Sequence, residues 1–569
     1  MTEGEHEITM SGTTGSQELG RRPAARPLRQ PAAPDRAGRW LAWSALGAII
    51  GSLVIMIAAA AVRNAWEHPY ARLPAGGFPW AIAAHVPLTV VSYGMWGAAV
   101  LGGAGVAAGL AALARGAVPP VRLLLAAGLV AAAALTVLPA TGSTDALDYA
   151  AYGRIMVLGH SPYVMTPNQL RRSGDPVGQA IPHEWRKFVA VYGPAASAEQ
   201  WAAARLGGTS AARIDFWIKL WGLLAFGAVA LALDRLLGSD PARRARGHLL
   251  WTANPLLLWV LVAAGHVDVL AAAAGLLGLV VLRRPGLPDG EPEALRGLAA
   301  GLLVGIATDI KVSYVLFGLG LAWAARRSLA AWMAAVAGAA LVLLPSYAWF
   351  GAPAVTALLS REGTASVDTF YQIFVGSHGN AIPHQLLLAG LLSGAVALLA
   401  LWRLPEGVPG LPAVRPALAV SLAWLFLWPY QYPWYDAMVL CLLALYPASR
   451  LDWLALLRLT AAAFALMPGN AGLPPQHLLA AITAASLYWI APVLLLAAAA
   501  GLVWLCLSQR WKMGTPTVIP AAGPALLRPV LAAVPGWRAG RPAPPAPGAR
   551  RAAGASGTAP SRSARTGSR

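Results

Sequence analysis

The chain has 569 residues, 57% of them hydrophobic and only 12% charged, with a formal net charge of +19. Soluble domains carry about 25% charged residues, so the composition excludes an ordinary soluble enzyme and points to a membrane protein. The positive charge does not argue for a nucleic-acid partner, because it gathers in a terminal tail and in the connections between apolar runs.

Residues 1–40 contain no apolar run and are expected to form a disordered cytoplasmic tail. The first run, LAWSALGAIIGSLVIMIAAAAV at 41–62, is too long for a signal-peptide core and has no convincing cleavage site, so it is expected to remain as a span. Further apolar windows follow near 88–113, 121–140, 215–234, 249–265, 268–282, 297–309, 312–325, 329–350, 387–402, 416–429, 437–448, 453–467 and 478–507. A chain in hydrocarbon must satisfy its backbone internally, so the reading is all-α. It is a polytopic bundle over 41–507 with about 12–14 transmembrane helices, each needing about 20 residues to cross in full. From Gln509 to Arg569 there are ten basic residues and no acid in a Pro, Ala, Gly and Ser background, so 508–569 is expected to be a disordered tail held against anionic cytoplasmic lipid.

With the N-terminus inside, Arg115, Arg122, Arg235, Arg243, Arg244, Arg246, Arg283, Arg284, Arg296, Arg326, Arg327, Arg403, Arg415 and Arg450 all fall in cytoplasmic connections, as the positive-inside rule requires. The unusual polar segments then emerge together on the opposite side. These are 141–208, Gly265 to Asp268, Thr308 to Lys311, 351–386 and Pro429 to Asp436, and their coincidence suggests one extracytoplasmic site at the membrane surface. The windows flanking His266 and Asp309 hold only about 12–17 residues. They rise about 18–26 Å, short of a hydrocarbon core of about 30 Å, so their polar tips are expected just inside the membrane beside water.

Asp145 and Asp148 lie three apart in STDALDYAAYGRIMVLGHSPY (143–163), so a helix there turns both carboxylates the same way, near Tyr149 and Tyr152. A carboxylate so placed is a candidate general base, but Ser143, Thr144 and Asp145 are also good helix caps, and both readings stand. His266 with Asp268, and Asp309 with Lys311, are ionisable groups in apolar surroundings. Either they pair for structural reasons or they serve a site, where Lys311 could neutralise a phosphate. The run WPYQYPWYD (428–436) is either an interfacial aromatic belt or a proline-broken shelf in which Gln431, Trp434 and Tyr435 meet a sugar ring. His378 and His384 read as ordinary loop histidines. Cys441 and Cys506 sit in apolar runs, and neither a disulfide framework, a metal-ligand spacing nor a glycine-rich phosphate loop is present. Any activated donor would therefore arrive through the lipid.

Taken in series, TDALDYAAYGRIMVLGHSPY, VYGPAA (191–196), NPLLLWVLVAAGHVDVL (254–270), DIKVSYVLF (309–317) and YPWYDAMVLCLLAL (432–445) resemble the actinobacterial polyprenol-phosphate-mannose-dependent alpha-mannosyltransferases. These are GT-C enzymes similar to the alpha-1,6-mannopyranosyltransferases and to glycosyltransferase family 87. The chain departs from the family pattern at Val267, where G-H-N-D is common, and at Ser161, where N-P-Y or D-P-Y is common.

The resemblance implies a GT-C bundle in a bacterial plasma membrane, both termini cytoplasmic, with 141–208 as the large first extracytoplasmic loop. It implies Asp145 as general base of an inverting transfer of a sugar, mannose above all, from a polyprenyl phosphate to a glycolipid or polysaccharide acceptor. Asp148, Tyr149, Arg154, Tyr163 and Tyr192 would then contact donor or acceptor, with His266, Asp268, Lys311, Gln431, Trp434 and Tyr435 completing the site and no metal or other cofactor assigned. The rival from another class is a transporter or flippase of a lipid-linked sugar, against which stand the absence of an internal repeat and the gathering of polar groups at one surface.

Overall fold

The structure is a computed structural model that describes residues 35–63, 79–182, 186–282, 293–359, 365–366, 369–371, 383–404, 408, 410–467 and 476–508. Among these the chain is helical almost throughout, the exception being two short strands, Val62–Arg63 and Ile82–His85, paired in parallel. The first helix, α1 (Arg36–Ala61), begins ahead of the apolar run because Asp35 caps it, its carboxylate accepting the N–H of Gly38 at 2.6 Å. It packs along α2 (Leu88–Ala114), and α3 (Val121–Val137) follows.

The polar segment expected as a large loop is itself folded. It holds α4 (Asp145–Val157), α5 (Pro167–Arg172), α6 (Pro176–Gln179) and α7 (Pro194–Gly207), with α4 packed against α7. Proline occupies the first turn of α5, α6 and α7, where its missing N–H has no intrahelical partner to lose. Gly193, just before α7, fits because a Cβ there would stand 1.9 Å from the carbonyl oxygen of Asp309, a clash for any other residue.

Then come α8 (Ala211–Leu236), α9 (Pro241–Leu250), α10 (Pro255–Leu258), which widens into a π-turn at Trp259–Ala263, and α11 (Asp268–Val281). The window expected at 249–265 starts instead at Pro255, because Asn254 caps α10 with bonds from the N–H groups of Leu256 and Leu257. Pro255–Ala263 and Asp268–Val281, expected as two spans, form one pair bent by 108°. The bend falls at Gly265, whose φ of +70° suits glycine alone.

Next are α12 (Glu293–Ile310), α13 (Val315–Ala325), α14 (Leu329–Phe350), α15 (Ala352–Leu359), α16 (Pro383–Arg403), α17 (Val414–Leu427), α18 (Asp436–Leu443), α19 (Arg450–Leu466), α20 (His477–Ala485) and α21 (Ala491–Ser508). α18 stops short of the expected 448 because buried Arg246 of α9 reaches the carbonyls of Leu443, Ala444 and Tyr446 while pairing with Asp452 of α19. A cation at a helix C-terminus answers both its free carbonyls and its dipole.

Six described helical segments are long and apolar enough to cross a membrane: α1, α2, α8, α14, Leu386–Arg403 and His477–Ser508. The bent pair makes a seventh if taken as one span, and Val121–Val137, Val312–Ala325, Val414–Leu427 and Pro433–Leu443 are shorter apolar helices. The protein is thus an all-α polytopic membrane protein; of the 12–14 helices expected, several of them short, six are full-length among the described residues. The difference lies in the windows that the structure bends or shortens. The outward face of α14 carries Leu341, Leu344 and Trp349, as a lipid-facing helix does. The two terminal tails lie outside the described residues, apart from 35–40 and Ser508.

Candidate active site

Four segments far apart in sequence meet around Asp145. The first is the start of α4. Thr144 stands at its cap position but makes no side-chain cap bond, and the hydroxyl of Ser143 accepts the N–H of Asp145 at 3.2 Å. Asp145 is thus the first residue of α4 rather than its cap position, and its Oδ2 lies 3.7 Å from Nδ1 of His266. Asp148, one turn on, is also buried.

The second is the break between the π-turn and α11, which delivers His266. Its Nδ1 is 3.4 Å from the Tyr149 hydroxyl, and its Nε2 is buried with no hydrogen-bond partner among the described residues. Burial, and then the Lys311 ammonium, hold the imidazole well below its ordinary 6.5, so it is neutral. Asp268 opens α11, where the helix N-terminus favours a negative group.

The third is the junction after α12. Lys311 Nζ donates to both oxygens of Asp268, at 2.8 and 2.9 Å, and sits 3.5 Å over the Tyr435 ring and 5.8 Å from the Tyr192 ring. Burial lowers its pKa while Asp268, and more weakly Asp145, act in the opposite direction. Tyr314 fixes the same corner, its hydroxyl donating to the Asp268 carbonyl at 3.1 Å.

The fourth is the hairpin between α17 and α18. Trp434 stacks on His266 with ring centroids 3.8 Å apart and on Tyr432 at 4.7 Å, both tilted by 16°. Two rings side by side on one indole face would overlap, so His266 and Tyr432 cover opposite faces. Trp434 is thus a wedge that fixes the imidazole rather than an open platform.

Behind these, Tyr149 donates to the Tyr192 hydroxyl at 2.9 Å. Tyr163 donates to the Tyr192 carbonyl at 2.9 Å and lies 2.9 Å from the Ser197 hydroxyl. Burial raises the pKa of all three phenols, so they are neutral hydrogen-bonding groups.

Asp145, Tyr149, Tyr192, His266, Asp268, Lys311, Trp434 and Tyr435 are accordingly brought into one cluster, with Tyr163 supporting it. Two other expected residues make protein contacts outside that cluster. Arg154 is ion-paired with Asp175 at 2.8 Å, at the start of α6. The Gln431 amide is taken at both ends, Nε2 donating to the Trp428 carbonyl and Oε1 accepting from Arg458. His378 and the side chain of His384 lie outside the described residues.

Asp436 falls in the polar segment expected here, whereas Tyr432 and Arg458 were not expected as members of this region, although a lone arginine in the apolar run LALLRLTAAAF was a usable signal. The sequence reading also passed over Glu199, Gln200, Asp215 and Lys219 in α7 and α8, of which Gln200, Asp215 and Lys219 are fully buried. Among the described residues no three His, Cys, Asp or Glu side chains group as metal ligands.

Residues 45–327 match the family model described as alpha-(1->6)-mannopyranosyltransferase, N-terminal domain, the MptA_B family. Over that segment, just under half of its length, the chain is similar to that family. No curated protein and no solved structure matches it. The match supports a glycosyltransferase, by its family name a mannosyltransferase, and the apolar helices support a membrane protein. The matched segment carries Asp145, Tyr149, Tyr192, His266, Asp268 and Lys311, while the aromatic hairpin that backs His266 lies beyond it.

Proposed function

We propose that the protein moves a mannosyl group from a polyprenyl phosphate to a hydroxyl of a glycolipid or glycan at the extracytoplasmic face, with inversion and in a GT-C fold. The observation that carries this reading is the convergence of a carboxylate, a neutral imidazole and a buried ammonium from three segments, braced by the aromatic hairpin, in a membrane-embedded chain that matches this family. Ionisable groups in apolar surroundings are costly and mark function.

In the reaction the acceptor oxygen attacks the anomeric carbon, and the bond from that carbon to the phosphate oxygen breaks. Its electron pair leaves with the lipid phosphate. The acceptor proton passes to the Asp145 carboxylate on the opposite face of the ring, the arrangement that inverts configuration. His266, fixed by Trp434, holds the carboxylate side of the site through Nδ1 and presents Nε2 as a free acceptor to a substrate hydroxyl. The phosphate gains charge as it leaves, and Lys311 stabilises it by sharing its ammonium between Asp268 and the leaving group.

The test is transfer from radiolabelled polyprenyl-phosphate mannose, beside a panel of other polyprenyl-phosphate sugars, by purified protein in lipid. Labelled product with inverted configuration supports the reading. Movement of the lipid-linked sugar across the bilayer without any transfer rejects it.

A further inference from the structure

The hairpin WPYQYPWYD contains two prolines and cannot hold itself by a regular backbone ladder, yet it presents Trp434 and Tyr435 to His266 and Lys311 at fixed stacking distances. A single side chain from another helix spans it. Arg458, in the middle of α19 and only 2% exposed, sends Nε to the Leu425 carbonyl at 3.3 Å, one terminal nitrogen to Asp436 Oδ2 and the other to Gln431 Oε1. Its three contacts thus lie at the end of α17, within the hairpin and at the start of α18. They bracket Tyr432, Trp434 and Tyr435. The planar guanidinium suits this role because its donors point in fixed, divergent directions, which a lysine cannot copy.

We propose that Arg458 is a positioning residue that sets the aromatic wall of the site. It fixes the two ends of the hairpin, the hairpin places Trp434 between Tyr432 and His266, and the ring of His266 in turn fixes the Nδ1 that faces Asp145. The same clamp sets the Tyr435 ring beneath Lys311. The catalytic consequence rests on the transfer reaction proposed above; the geometric consequence does not. Asp436 Oδ1 has no hydrogen-bond partner among the described residues, so Asp436 depends on the arginine for its compensation.

The experiment places 5-fluorotryptophan at position 434 alone and reads its fluorine resonance in the full-length protein in lipid nanodiscs, alongside transfer kinetics. Two backgrounds are compared with the wild type. One is Arg458→Lys, which keeps the charge and loses the fork. The other is Arg458→Gln with Asp436→Asn, which removes both buried charges and so keeps the fold testable. The proposal expects the resonance to shift or broaden in both, and kcat per folded molecule to fall by about tenfold or more, since displacements near 1 Å at a reacting centre cost up to about 10²-fold. The donor KM is expected to change much less. A folded variant with the wild-type resonance overturns the proposal, and so does one with a displaced ring and unchanged kcat. If the wild-type protein transfers no sugar while the resonance still moves, the clamp on Trp434 stands and the transfer reading fails.

Discussion

Replacing Lys311 by methionine separates what this lysine does for the fold from what it does for a substrate. Its ammonium donates to both Asp268 oxygens at 2.8 and 2.9 Å, and Asp268 is fully buried, so the variant strands a carboxylate in apolar surroundings. Removing one partner of a buried ion pair costs about 3–5 kcal/mol. Loss of the cation over the Tyr435 ring, 3.5 Å from its centroid, adds about 0.5–2 kcal/mol. Lys311→Met with Asp268→Asn removes both charges and is expected to recover most of that loss, because neutral replacement of a buried pair is often near zero in cost.

Equilibrium unfolding in mixed micelles, followed by tryptophan fluorescence across the four corners of the double-mutant cycle, gives a coupling energy. Coupling of at least about 2 kcal/mol is expected. The refolded double variant then shows whether Lys311 also serves the donor, through a raised donor KM and a lowered kcat. A single variant within about 0.5 kcal/mol of the wild type, the ordinary range of surface substitutions, would refute the reasoning.

Gly193→Ala forces a Cβ to within 1.9 Å of the Asp309 carbonyl, and overpacking of that kind costs about 1–3 kcal/mol. Gly47→Ala, in α1 with open space around it, is the control and should be neutral or stabilising in the same melt. His266 stays neutral in the fold while the unfolded chain takes up a proton below pH 6.5, so stability declines as pH falls below that value. His266→Asn should flatten this part of the profile between about pH 6.5 and 5; an unaltered slope contradicts the burial argument. Arg154→Ala should leave the donor KM within about twofold, because Arg154 is committed to Asp175, and a tenfold rise measured in the transfer assay would place it at the substrate instead.

The membrane class was legible, and so was the gathering of a few polar groups, because costly residues in an oily chain are conspicuous. Asp145, His266, Asp268 and Lys311 interrupt apolar runs, and the structure brings all four together. The lengths and bends of the helices were not legible, since hydropathy registers an apolar run but not the turn at Gly265 or the cap at Asn254 that bends or shortens it. Partners chosen across long sequence separations were equally hidden. Nothing in the local pattern says that Arg154 turns to Asp175 or that Gln431 is taken by Arg458, because each choice depends on helix packing. The aromatic hairpin was visible as a polar interruption, but the burial of both Trp434 faces follows from the stacking of His266 and Tyr432 upon it.

The most direct test of the whole account is Asp145→Asn, which keeps the size and shape of the side chain and removes its capacity to take a proton. The variant should insert and fold as the wild type does, yet transfer radiolabelled mannose from polyprenyl phosphate at least about 10²-fold more slowly, the scale of a lost general base. A folded Asp145→Asn protein with near-normal turnover would contradict the account.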